Sequence, residues 1–176
     1  MMTPKTGTAA AGTNAFPGRG HDHASCVDEA VTAADRICAD RGARLTSLRR
    51  RVLELVWRSH QPVGAYEILD RLAADTGQRA APPTVYRALD FLLEQGLVHR
   101  IESQSAFVGC SRPGETHVFE ILLCTSCGRA AELPGDRVTR AIKASAAEVG
   151  FAVERQTVEV IGRCRECQAA AVKSQD

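Results

Sequence analysis

The sequence predicts an α+β fold, an N-terminal winged-helix domain followed by a small α+β domain that carries a four-cysteine site. Three observations predict it. Apolar residues recur at helical spacing from Val27 to Leu93, a breaker segment interrupts the pattern at Ser111-Arg112-Pro113-Gly114, and two C-x-x-C pairs stand beyond that break. The 176 residues suit one domain or two small ones, and a 44% hydrophobic share excludes a wholly disordered chain. With 22 Lys+Arg against 21 Asp+Glu, the chain is not a uniform polycation. Its apolar runs, such as Phe119 to Cys124, fall well short of the roughly 18–20 residues of a membrane span. Met1 to Ala15 has no apolar stretch of the kind a secretory signal needs, so a cytoplasmic protein without membrane contact is expected.

Residues 1–26, rich in Ala, Gly and Thr, hold too few large apolar groups to fold alone and read as a flexible tail. Val27, Ala30, Val31, Ala34, Ile37 and Cys38 mark a first helix that Gly42 ends. Thr46 can cap a second helix from Leu48 to Ser59, and Ala65 to Asp75 reads as a third with Ile68, Leu69 and Leu72 inward. The fourth has the clearest period. After Pro82-Pro83-Thr84, residues Val85, Ala88, Leu89, Leu92 and Leu93 fall on one face, and Gly96 closes the helix. Leu97–Glu102 and Ala106–Cys110 then form a hairpin across Ser103-Gln104-Ser105, and helices followed by a hairpin are the order of a winged helix, assigned here to 27–110.

A hinge is placed at 111–116. Beyond it, Val118–Cys124, Ala130–Leu133 and Thr157–Ile161 look like strands, and a helix ends at Gly150. This second domain, 117–168, is small enough to need a metal or a partner subunit, and 169–176 is read as a C-terminal tail.

Seven cysteines in a reducing compartment argue for metal thiolates or redox chemistry rather than a disulfide framework. Cys124, Cys127, Cys164 and Cys167 form two knuckles, each after an expected strand, and together supply the four sulfurs of a structural zinc site. A dithiol redox centre would want one pair at a helix N-terminus, where neither is expected. Cys38 reads as a buried hydrophobe, and Cys26 is assigned nothing.

Charge is uneven along the chain. Arg41, Arg44, Arg49, Arg50, Arg51 and Arg58 stand near the single acid Glu54, a patch that suits phosphates or simply a solvated face. On the fourth helix Tyr86 and Arg87 point away from the apolar stripe, as on a recognition helix, or else they only cover the neighbouring helix. Arg87 there can bind guanine O6 and N7, and Tyr86 can reach a phosphate or a thymine methyl.

The run Pro82-Pro83-Thr84-Val85-Tyr86-Arg87-Ala88-Leu89-Asp90-Phe91-Leu92-Leu93-Glu94-Gln95-Gly96-Leu97-Val98-His99 resembles the recognition helix and wing entry of the ferric uptake regulator superfamily, in its zinc uptake regulator branch. Arg41 to Thr46, Arg49 to Leu53, Ala65-Tyr66 and the C-x-x-C pairs follow in that family's order, over roughly 27–168. The resemblance implies a homodimeric repressor of zinc uptake genes that closes on a palindromic double-stranded DNA operator when zinc is plentiful. It implies no enzyme activity and no small-molecule substrate. Tyr66 and Arg87 would read bases, with Thr84 and Tyr86 on the backbone and Arg44 and Arg49 in the basic patch.

The same resemblance implies two Zn2+ per subunit, one structural and one regulatory, the latter on His99, Cys110, His117 and Glu132. Read without the family, His99 can be an ordinary strand histidine and Cys110 a packing residue. Glu115-Thr116-His117-Val118-Phe119-Glu120 keeps one histidine, without the histidine-rich cluster of the iron and peroxide branches, and a thiolate ligand favours zinc over hard iron chemistry. The alternatives are an iron or other metal regulator, a zinc enzyme, for which no H-E-x-x-H is present, and a zinc-stabilised interaction adapter. His60 reads as a surface residue, and His21 and His23 as parts of a solvated tail. Asp70 matches an acid that bridges adjacent dimers in such repressors, but Ala73 stands where the basic partner would and Arg71 is displaced from it.

Overall fold

The computed structural model describes residues 15, 16, 18, 22–77, 81–115 and 117–173. Helix α1, His23–Asp40, begins before the apolar period does, because Asp22 caps it: its carboxylate accepts from Ala24 N at 2.9 Å. The stretch assigned to a tail, 1–26, therefore contains the first turn of α1, and Phe16 within it is buried. Within that stretch, residues 1–14, 17 and 19–21, His21 included, lie outside the described residues.

Helix α2, Ser47–Trp57, starts at the expected cap, with Thr46 Oγ1 accepting from Arg49 N. A two-residue strand β1, Val63–Gly64, leads into α3, Ala65–Thr76, and then α4, Pro82–Glu94, opens on its two prolines, whose missing N–H groups cost nothing in a first turn. At the end of α4, Gly96 takes a left-handed φ of 66°, which lets Leu97 N turn back to Leu92 O at 2.9 Å and start the wing. Strands β2, Val98–Ile101, and β3, Ala106–Gly109, pair antiparallel around a 3-10 turn at Glu102–Gln104, and β1 adds to β3 on the other side. Val52, Leu53, Val56, Ile68, Val85, Leu89 and Leu92 fill the core beneath this wing.

In the second half, β4, Phe119–Cys124, pairs antiparallel with β5, Ala130–Pro134. Helix α5, Asp136–Glu148, carries the chain back so that β6, Glu159–Gly162, lies parallel to β4. That sheet is only three strands wide. Helix α6, Arg165–Lys173, occupies most of what was read as the tail 169–176; residues 174–176 lie outside the described residues.

The halves are not loosely strung. Ile101 and Val108 of the wing pack with Ile121, Leu123 and Ala130 of the second sheet in one buried cluster. Glu159 adds a polar tie: its carboxylate accepts from Glu102 N at 2.6 Å and Ser103 N at 3.2 Å. Ala130 N also donates to His60 O at 2.7 Å, and Gln61 Nε2 to Cys127 O at 2.7 Å.

Candidate metal centres and nucleic-acid face

The β4–β5 turn and the start of α6 bring Cys124, Cys127, Cys164 and Cys167 together with all four sulfurs within 4.8 Å of one another. Cys127 Sγ and Cys164 Sγ are 3.9 Å apart, close to the roughly 3.8 Å edge of a zinc–thiolate tetrahedron with bonds of about 2.3 Å. Burial opposes the Cys124 thiolate, but the N–H groups of Cys164, Cys127 and Ser126 outweigh it and bring the thiol down to about 6. Burial likewise opposes ionisation of Cys127, and the Arg129 guanidinium, with Nε 3.3 Å from its sulfur, lowers it. Thiolates already favoured by these dipoles and this cation suit a dication. The second pair straddles the start of α6, contrary to the expectation that neither lies at a helix N-terminus, but the first pair supplies the other two corners of one four-sulfur cluster.

Sequence reasoning missed two supports of this centre. Arg129 also reaches Glu166 Oε2 at 2.5 Å, so it ties the first knuckle to α6. Phe16, 8% exposed, packs against Cys124, Cys164 and Cys167. Arg129 stands next to a knuckle glycine and was legible as a candidate cation; nothing in the sequence pointed to Phe16.

The second cluster joins the halves. His99 lies on β2, Cys110 just past β3, His117 just before β4 and Glu132 on β5, with their ligand atoms likewise within 4.8 Å of one another. His117 Nδ1 is 2.9 Å from Glu115 O, and a carbonyl only accepts, so Nδ1 donates there and Nε2 faces inward. That Nε2 lies 2.6 Å from Glu132 Oε1, a buried oxygen. At this distance a proton or a metal ion bridges the two atoms.

Cys110 Sγ is 3.7 Å from His117 Nε2, and His99 Nε2 is 3.3 Å from Glu132 Oε2. Burial first, then the Glu132 charge, push the Cys110 thiol up to about 12. Burial also opposes ionisation of Glu132, yet hydrogen bonds from His99 and from Ser111 N and Oγ, at 3.0 and 2.8 Å, hold its carboxyl at about 2. The donor set and its crowding fit a tetrahedral cation. Ser111, between β3 and β4, is a further supporting residue that sequence reasoning did not single out. Among the described residues these are the two clusters of three or more His, Cys, Asp or Glu that could hold a metal ion.

On the winged-helix half, Tyr66 at the start of α3 is 72% exposed, and Tyr86 at 41% and Arg87 are exposed on α4. Thr84 is half-buried and Arg44 exposed. Arg49 turns inward instead, its guanidinium 3.5 Å from the Phe91 ring centroid and Nη1 donating to Arg44 O at 2.6 Å. The rest of the basic run is less bare than its sequence: Arg50 pairs with Asp35, Arg51 with Asp75 and Glu54, and Arg41 donates to Gln95 O at 2.8 Å. Arg71 pairs with Glu67 on its own helix. No described helix is long and apolar enough to cross a membrane.

A winged helix tied to a cysteine-knuckled α+β half through a shared four-ligand cluster defines a metal-binding, DNA-binding class of regulator. Comparison with known proteins agrees, since the ferric uptake regulator family model matches residues 40–161. The zinc uptake regulation protein of Escherichia coli (strain K12) is 40% identical over 142 residues, spanning 80% of this chain and 82% of that one. A solved zinc uptake regulator complexed with zinc and DNA has a TM-score of 0.77 at 39% identity, over 83% of this chain and 97% of that chain. The crystal structure of holo XcZur has 0.72 at 43% identity, over 81% and 99%. The chain belongs to the ferric uptake regulator family, and is a regulator rather than an enzyme.

Proposed function

We propose that this protein is a cytoplasmic, zinc-dependent repressor of zinc uptake genes, a homodimer that closes on palindromic operator DNA when its regulatory site is filled. The observation that carries the reading is the quartet itself. His99 and Cys110 come from the winged-helix half, 27–110, and His117 and Glu132 from the half after the 111–116 hinge, 117–168, so one shared ion fixes the angle between them. Each subunit holds two zinc ions, a structural one on Cys124, Cys127, Cys164 and Cys167 and a regulatory one on the quartet. When bound there, zinc supplies the positive charge that a buried thiolate and carboxylate lack. Ser111 fixes Glu132, and the Glu115 carbonyl fixes the His117 tautomer.

Arg87 and Tyr66 read bases from α4 and α3, while Thr84, Tyr86 and Arg44 contact the backbone and Arg49 braces Arg44 through its carbonyl. The exposed apolar side chains Val138, Ile142, Val149, Phe151, Val160 and Ile161 of the second half support a dimer face for a second copy. The likeness to zinc uptake regulators, one of them solved with zinc and DNA, supports both metal and partner.

Fluorescence anisotropy of a palindromic duplex selected from genomic fragments tests this while free zinc is set by a chelating buffer. Affinity should rise about tenfold or more with zinc, a coupling of about 1.4 kcal/mol, fall steeply with salt, and vanish in Arg87→Ala. Equal binding at all zinc levels would remove the sensor reading, and salt-insensitive binding the phosphate contacts.

A further inference from the structure

We propose that Trp57, at the C-terminal end of the DNA-binding half's helix α2, is a positioning residue for the regulatory metal site. It sets the strand end that delivers Cys110 to His99, His117 and Glu132. The inference rests on reading those four residues as that site, and it adds a part from outside the ligand set.

The contact is unusually close. A Cβ built on Gly109 would lie 2.1 Å from Trp57 Cε2, 2.4 Å from Nε1 and 2.6 Å from Cζ2, so the indole occupies the space a side chain would take. Only glycine admits that approach, and Gly109 is bonded directly to Cys110. Cys110 N is held from the other direction by Leu97 O at 3.1 Å. Ring and carbonyl together leave this backbone little freedom, and the Sγ position follows from it.

The same corner of the chain grips the other half of the site. His60, with its ring edge-on to Trp57 at 6.2 Å, accepts from Ala130 N through its carbonyl at 2.7 Å, and Ala130 lies two residues before Glu132 on β5. A cavity of about 90 Å³ lies between these groups, lined by Trp57, His60, Gly109, Ser111, Ala130 and Glu132. Trp57 Nε1 is buried and has no hydrogen-bond partner among the described residues, so no polar bond anchors the indole and its seat is set by packing. The α2 corner thus touches backbone beside one ligand from each half, Cys110 and Glu132. Movement of the site and movement of α2 are mechanically joined there.

The test loads Co2+ into full-length protein that retains its structural zinc, and reads affinity and the thiolate-to-cobalt charge-transfer band of the second site. Wild type is the control for the site itself: absence of a second cobalt with a thiolate band would sink the sensing-site reading rather than this one. Given that band, Gly109→Ala should weaken second-site cobalt by about tenfold or more and shift the band, as removal of a ligand's support does. Trp57→Phe should weaken it in the same direction. Trp57→Ala/Gly109→Ala, in which the new methyl enters the vacated space, should recover affinity relative to Gly109→Ala. A purely structural role predicts lower melting temperatures with cobalt affinity and band unchanged, and that result overturns the proposal. So does a double variant no tighter than Gly109→Ala. Should Gly109→Ala fail to fold, Trp57→Phe decides alone: wild-type affinity and band in that variant overturn it.

Discussion

Cys110 and Cys124 each stand where a strand ends, and their surroundings give them opposite acid–base behaviour. Around Cys124, backbone N–H groups outweigh burial and stabilise the thiolate without help; around Cys110, burial and Glu132 suppress it, so ionisation waits for a cation. The two should therefore fail differently. Cys110→Ser should leave a folded protein with its structural zinc but without zinc-dependent DNA binding, whereas Cys124→Ser should lose the second half's cooperative unfolding, both read by circular dichroism and metal content. Equal unfolding of the two variants would contradict the division of roles. Glu132 gives a pH signature in the metal-free protein. Its folded value of about 2 lies below the ordinary 4.5, so its contribution is fully present above about pH 4.5 and lost as pH falls toward 2. Urea midpoints should fall across that window in wild type, and less steeply in Glu132→Gln; parallel slopes would show that the carboxylate is not held by His99 and Ser111.

At the level of elements, legibility followed the reach of the interactions. Helix α4 was readable because its stripe is local, and Leu89 and Leu92 are indeed fully buried beneath the wing. Leu89→Ala should cost about 2–5 kcal/mol by urea unfolding, since it opens a cavity at the centre of the first core. A loss below about 1 kcal/mol would mean that the core collapses around the gap, against the close packing described. Both ligand sets were named from the sequence, the cysteines by spacing and the quartet by resemblance, and the structure brings each together. What escaped was set at a distance. Strand β1 is two residues long and exists only because β3 pairs with it, and the early start of α1 turned on one cap at Asp22 rather than on periodicity. The basic run looked bare because Asp35 and Asp75, its partners, lie on other helices. Ser111 acts on Glu132, and Arg129 reaches Glu166, across tertiary packing that no window of sequence contains.

Among the described residues, one core fills the winged-helix half, a second surrounds the four cysteines, and a third joins the halves through Ile101, Val108, Ile121, Leu123 and Ala130. The quartet sits beside that joint, on elements of both halves, and on the proposed function its occupancy and the angle between halves form a single equilibrium. Such an equilibrium obeys linkage: if zinc tightens operator binding by some factor, operator must tighten zinc binding by the same factor. Second-site zinc affinity of the full-length protein, measured with competing chelators in the presence and absence of saturating operator duplex, tests this most directly. Operator should raise zinc affinity about tenfold or more, matching the effect of zinc on DNA binding, and Cys110→Ser should abolish both. Zinc affinity indifferent to operator would contradict it.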